Sequence, residues 1–202
     1  MKLYFSPGAC SLSPHIVLHE AGLAHTSEKV DLRSKQTAGG VDFRSINPKG
    51  YVPALETDNG AILTEGPAIV QYLADLAPDK LLAPAQGTME RYQMISWLNF
   101  IGTEIHKNYS PLFNPASSDE LKAGALGNLQ QRYTYVNSML DGRDYLGGER
   151  FSVADVYLFV VTNWAGRVKL DLSTFPNLLA FQQRIASRPA VQQAMRAEGL
   201  ID

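Results

Sequence analysis

The chain has 202 residues, 45% of them apolar and 19% charged, enough for one or two domains with an ordinary hydrophobic core. Lys and Arg number 18 against 20 Asp and Glu, a net charge of −2, which argues against a nucleic-acid partner because that needs a strongly basic surface. A single cysteine, Cys10, rules out an internal disulfide and a Cys-rich metal site, and no apolar run reaches the ~18 residues of a membrane span. The expectation is a cytoplasmic protein with no membrane partner.

In chain order, Lys2–Phe5 reads as a strand closed by the turn Ser6-Pro7-Gly8. A helix comes next, starting at about Cys10–Ser13, because Pro14 fits only in a first turn, where its missing amide costs nothing. Leu12, His15, Ile16, His19 and Leu23 fall near one face of that helix, and Gly22 supplies the stop. Thr26–Leu32 reads as a second strand and residues 31–40 as a polar loop. Val52–Thr57 and Ala61–Thr64 flank Asp58-Asn59-Gly60, a hairpin signal. Glu65-Gly66-Pro67 opens a helix to about Leu76. The order β-α-β-(α)-β-β-α is that of an α/β domain. Residues 78–87, rich in Pro, Ala and Gly, form the boundary. Beyond them the pattern is helical only, over roughly 88–108, 118–140, 153–168, 175–187 and 189–198. Ser152-Val153-Ala154-Asp155 is a capping box before the apolar run Val156–Val161, which predicts a helix buried at the centre of the second domain.

Few residues suggest chemistry by themselves. Cys10 precedes a helix, where the dipole and free amides would favour a thiolate and lower its pKa. The run Cys10-Ser11-Leu12-Ser13 lacks the second thiol of a C-x-x-C redox pair, so it suits one-thiol exchange with a small thiol. An inert, buried cysteine fits the same spacing equally well. Glu65-Gly66-Pro67 reads either as an ordinary helix start or as a site for an α-amino acid group, with the ligand carboxylate on the helix amides and its ammonium on Glu65. Asn99, Thr103 and His106 form a polar stripe within about 60° on an α-helix, and Glu104 lies on another face without an evident partner in the chain. His15 and His19, at i and i+4, have the spacing of a chelating pair. No third ligand is in evidence, and no metal is expected.

Read together, these stretches are recognisable. Met1-Lys2-Leu3-Tyr4 through Ser6-Pro7-Gly8-Ala9-Cys10-Ser11, Asn47-Pro48-Lys49-Gly50 with Val52-Pro53-Ala54-Leu55, and Leu63-Thr64-Glu65-Gly66 come first. Trp97-Leu98-Asn99-Phe100, Glu104-Ile105-His106-Lys107 and Phe151-Ser152-Val153-Ala154-Asp155 complete the set. In this order and spacing the whole chain resembles a bacterial beta-class glutathione transferase. The resemblance implies a thioredoxin-like glutathione-binding domain over residues 1–80, an all-helical domain over 88–202 and a homodimer.

It also implies a glutathione site. Val52, before a cis Pro53, would pair its backbone with the cysteinyl unit of glutathione. Glu65 and Gly66 would hold the γ-glutamyl end, and Lys35 the glycyl carboxylate. Asn99, Thr103 and His106 would lie near the sulfur, with Glu104 reaching across the dimer. Cys10 would stand at the sulfur and form a mixed disulfide. Ser11 or His106 would assist the glutathione thiolate. Phe5, Pro7, Phe113, Trp164 and Val168 are the expected apolar lining for a small hydrophobic electrophile. Glutathione is then a co-substrate, no cofactor is needed, and detoxification or xenobiotic degradation is the implied setting. Two modes of action result: conjugation by the glutathione thiolate, or Cys10-dependent thiol exchange and reductive dehalogenation. The alternatives are a dedicated glutathione-dependent thiol reductase and a non-catalytic carrier or interaction module.

Overall fold

The computed structural model describes all 202 residues. Five strands, β1 (Lys2–Phe5), β2 (Thr26–Asp31), β3 (Gln36–Thr37), β4 (Ala54–Glu56) and β5 (Ile62–Thr64), form one mixed sheet in the order β3-β2-β1-β4-β5. Only β1 and β2 run parallel, with Leu3 opposite Ser27; β1–β4, β4–β5 and β2–β3 are antiparallel. The parallel pair needs a crossover, and α1 (Leu12–Ala21) supplies it. The short β3 falls in the stretch that the sequence pattern reads as loop, because two residues carry no periodicity. The bracketed helix before the hairpin is a single 3₁₀ turn, Phe43–Ser45, capped by the Asp42 carboxylate accepting from the Arg44 N–H.

By compactness the chain divides into two units, Met1–Ala83 with Ser187–Asp202, and Pro84–Ala186. In the first unit α1 packs against both α2 (Gly66–Leu76) and the terminal helix α8 (Pro189–Ala197). This explains why α1 is buried on every side from Leu12 to Leu18, where the sequence suggests one buried face. Residues 187–202, which the sequence pattern assigns to the helical domain, pack with this unit instead. Arg188 Nε and Nη2 donate to the two oxygens of Glu20, at 2.6 and 2.9 Å. Beneath the sheet, Tyr4, Val30, Phe43, Val52 and Ala54 form a closed cluster.

The second unit holds α3 (Met89–Phe100), α4 (Lys107–Phe113), α5 (Asp119–Met139), α6 (Val153–Thr162) and α7 (Pro176–Ala186). Every residue of α6 is buried, as its apolar run predicts. The helix expected over 88–108 is not continuous α. A π-helical turn, Ile101–His106, separates α3 from α4, and the Lys107 N–H reaches the Gly102 carbonyl. Such a turn adds a residue and rotates the residues after it by about 100°.

Candidate functional site

Cys10 lies in the loop between β1 and α1. Its thiol donates to the Val52 carbonyl at 3.3 Å, and the Val52–Pro53 peptide is cis. The loop itself is held from two sides. The Ser6 N–H donates to Ser11 Oγ at 3.1 Å, and the Ser11 hydroxyl donates back to the Ser6 carbonyl at 3.2 Å. Ser11 is fully buried, so its hydroxyl shapes the loop and is not presented to a ligand, contrary to the catalytic role the resemblance gave it. The second anchor is Glu198, which accepts from the Gly8 N–H at 2.8 Å. Sequence reasoning missed Glu198 because it stands 190 residues from Gly8, with no local pattern to mark it.

The state of the thiol also departs from expectation. Cys10 keeps part of its surface, but burial around the sulfur pushes its pKa up to about 12. The Cys10 and Ser11 amides act in the opposite direction, as expected of a helix start, and are outweighed; Glu65 and Glu198 add a smaller upward push. The resting group is a neutral thiol and a hydrogen-bond donor, where a thiolate was expected.

The segment facing Cys10 runs from Lys49 to Gly66. Glu65 has a left-handed φ of 70° and precedes α2 without capping it through its side chain. Its carboxylate accepts from Lys49 Nζ at 2.5 Å and from the Tyr51 hydroxyl at 3.1 Å. Lys49 and Tyr51 were absent from the expected site; their only signal was proximity to Val52. Lys35, at φ 60°, directs Nζ to the Gly50 carbonyl at 2.8 Å. Lys35, Val52, Pro53, Glu65, Gly66 and Cys10 are therefore placed by one connected set of loops. A Cβ on Gly66 would meet nothing closer than Pro53 Cγ and Ser13 Oγ, both at 3.9 Å. A side chain is sterically allowed there, and the Ala68 and Ile69 N–H groups that follow donate to the Glu65 carbonyl, each at 3.0 Å.

Two further anticipated lining residues also belong to the first unit. Phe5 is 7% exposed and packs on the His15 ring at a centroid distance of 5.5 Å, so it is a core residue. Pro7 lies half-buried in the Cys10 loop.

In the second unit the polar stripe splits. Asn99 and Thr103 are exposed, with the Thr103 hydroxyl donating to the Asn99 carbonyl at 3.0 Å. The π-helical turn carries His106 elsewhere: its Nδ1 bonds the Tyr157 hydroxyl at 2.6 Å, and its ring meets Trp164 edge-on at 4.8 Å. Phe113 and Trp164 join that aromatic group at 5.7 Å, while Val168 lies half-buried in the 3₁₀ turn after α6. Tyr157 is the residue missed here, hidden in the all-apolar run of α6. Glu104 has a partner after all. Its Oε2 accepts from Nε and Nη2 of Arg132, each at 2.8 Å, which removes the reason for sending it to another subunit.

This arrangement, a neutral cysteine beside a cis-proline loop in a mixed sheet with a separate helical unit, matches known proteins along its length. Family models for the N-terminal and C-terminal domains of glutathione S-transferase match residues 8–76 and 100–189. The chain is 48% identical to glutathione S-transferase GstA of Escherichia coli O157:H7, over 99% of this chain and all of that one. It belongs to the glutathione S-transferase family. Among solved structures, the bacterial transferase BphK, in a ternary complex, is 58% identical with a TM-score of 0.98, covering 99% of this chain and 100% of that one. A beta-class transferase from Sphingomonas chungbukensis is 50% identical with a TM-score of 0.97, with full coverage of both chains. The fold is thus the thioredoxin-like and helical pair of this family, and its near relatives are bacterial beta-class transferases. No helix is long and apolar enough to cross a membrane.

Proposed function

We propose that this glutathione transferase joins the sulfur of glutathione to small hydrophobic electrophiles, and that Cys10 acts first as a thiol donor and only secondarily as a nucleophile. The observation that carries the reading is the Cys10 thiol directed at the Val52 carbonyl beside cis Pro53. An extended tripeptide laid along Val52 would pair its cysteinyl N–H and C=O with that backbone, as one strand pairs with another. Its sulfur then lies beside Cys10. Glu65 and the Gly66 N–H at the start of α2 take the γ-glutamyl ammonium and carboxylate, with Lys49 and Tyr51 holding Glu65 in place. Lys35 takes the glycyl carboxylate.

In conjugation the glutathione thiolate attacks the electrophilic carbon. A C–S bond forms, the halide or other leaving group departs with its electron pair, and the thiol proton passes to solvent. A neutral Cys10 donates a hydrogen bond to the attacking thiolate and stabilises it. In exchange, the Cys10 thiolate attacks the disulfide of oxidised glutathione. A Cys10–glutathione disulfide forms, and one glutathione leaves as thiolate. A thiol pKa of about 12 makes that second mode slow at neutral pH. We further propose a cytoplasmic homodimer acting in xenobiotic detoxification.

The test is an aryl halide conjugation assay on wild type and Cys10→Ala, beside intact mass after incubation with oxidised glutathione. Conjugation should survive in Cys10→Ala, reduced by about a hundredfold, the lower end of the worth of one donor to a developing anion. A wild-type protein that binds glutathione but turns over no electrophile, while forming the mixed disulfide within seconds at pH 7, is a thiol reductase and overturns this reading.

A further inference from the structure

Three of the chain's four histidines meet in the first unit. His15 and His19 lie one turn apart on α1, and His25 lies just before β2. Their rings are in mutual contact, with centroid distances of 5.3, 5.6 and 5.1 Å, and one donor nitrogen from each lies within 4.8 Å of the others. The i, i+4 pair is legible in the sequence. The third ring is not, because Gly22 ends the helix and turns the chain back before His25 is reached.

The hydrogen bonds decide which nitrogens are available. His15 Nδ1 is bonded to Glu198 Oε1 at 2.9 Å. His25 Nδ1 lies 2.8 Å from the Leu23 carbonyl and donates to it, since a carbonyl only accepts. The buried Nε2 of His19 has no hydrogen-bond partner. For His15 and His25 the acceptor places the proton on Nδ1 and leaves the Nε2 lone pair free. A carboxylate behind an imidazole, as Glu198 stands behind His15, is the recurring second layer of histidine metal sites, where it fixes the tautomer and raises ligand basicity.

We propose that His15, His19 and His25 bind one divalent transition-metal cation through their Nε2 atoms, with Glu198 and the Leu23 carbonyl orienting two of the rings. At Zn–N distances of about 2.0–2.1 Å, tetrahedral ligand nitrogens stand roughly 3.4 Å apart, so nitrogens now up to 4.8 Å apart need to close by up to about 1.4 Å. His19 and His25 are only half-buried, which leaves room for that movement and a path for the ion. Three imidazoles suit Zn²⁺, Co²⁺, Ni²⁺ or Cu²⁺. Mg²⁺ and Ca²⁺ require oxygen ligands, and the one carboxylate bonded to the cluster, Glu198, is already engaged by His15 and the Gly8 N–H.

The experiment is calorimetric titration of the full-length, tag-free protein with Zn²⁺, with Mg²⁺ as control and the visible spectrum of Co²⁺ as the report on its ligands. Wild type should take up one Zn²⁺ per chain, show the spectrum of Co²⁺ bound by nitrogen, unfold at a higher temperature with Zn²⁺, and ignore Mg²⁺. His25→Phe and His19→Phe should each weaken Zn²⁺ binding at least tenfold. His25→Phe keeps an aromatic ring in place and leaves the buried His15–Glu198 pair untouched, so its fold should survive, as its denaturation midpoint will report. Cys10→Ala should bind Zn²⁺ as wild type does. No saturable Zn²⁺ binding, binding unchanged in both histidine variants, or binding lost in Cys10→Ala with a sulfur-type Co²⁺ spectrum would each overturn the assignment.

Discussion

Two helix starts in this molecule obey the same local rule and end differently. At α6, Ser152 and Asp155 form the capping box the sequence predicts: the Asp155 carboxylate accepts from the Ser152 N–H at 2.8 Å and the Ser152 hydroxyl at 2.9 Å. It also accepts from the Leu146 N–H at 2.8 Å. At α1, Cys10 faces amides that favour an anion, and yet its thiol stays neutral. The difference begins with the groups themselves, a thiol at 9.0 against a carboxyl at 3.8, and the donors that meet each one add to it. Both are strongly desolvated, and in both burial raises the pKa: Cys10 to about 12, Asp155 to about 6. Asp155 meets three donors and stays ionised near neutrality. Cys10 meets only nearby backbone, and its own proton is used to reach Val52. A helix start offers an anion site, but desolvation decides whether an anion occupies it.

The largest effect expected from this comparison is chemical. Relative to the ordinary thiol value of 9.0, a pKa of about 12 cuts the Cys10 thiolate fraction at pH 7 by about a thousandfold. Alkylation of folded protein by iodoacetamide should therefore be slow at pH 7 and still rising beyond pH 10, while the urea-unfolded chain titrates near its ordinary range. A plateau at mildly acidic pH would show that the helix start outweighs burial.

The next effect is on stability. Asp155→Ala strands three buried donors and should cost about 3 kcal/mol or more in urea unfolding. The pH dependence has a definite sign. Asp155 is raised from 3.8 to about 6 in the fold, so the folded state binds the extra proton. That contribution is fully present below 3.8 and is lost as pH rises through about 6, a change on the order of 3 kcal/mol. Comparing wild type with Asp155→Asn from pH 4 to 7 isolates it; parallel profiles for the two proteins would contradict the assignment.

A smaller loss, about 1 kcal/mol, is expected for Ser152→Ala, which removes one cap hydroxyl while leaving the Asp155 carboxylate two backbone donors. Its denaturant midpoint should fall without a change in the affinity for glutathione. The smallest effect belongs to Glu104→Ala. The Glu104–Arg132 pair is 40% and 32% exposed, and such pairs contribute at most about 1 kcal/mol. A large loss of glutathione binding in Glu104→Ala, with little change in unfolding, would restore a role for Glu104 beyond its own chain.

Local rules were legible where the chain acts on its immediate neighbours. The capping box needs only Ser152 and Asp155, the hairpin only Asp58-Asn59-Gly60, the buried α6 only an unbroken apolar run, and the stop of α1 only Gly22. These depend on backbone valence and short-range geometry, so sequence by itself determined them, along with the α/β and all-helical halves and the family resemblance. Tertiary structure alone decided the rest. It placed Glu198 on Gly8 and His15, brought His25 to His19, turned His106 to Tyr157 through a π-helical turn, and gave Glu104 its Arg132. It also set the charge state of Cys10. Each of these depends on which distant surface comes to lie against a residue. Desolvation and side-chain pairing act over a few ångströms of space, whatever the separation along the chain.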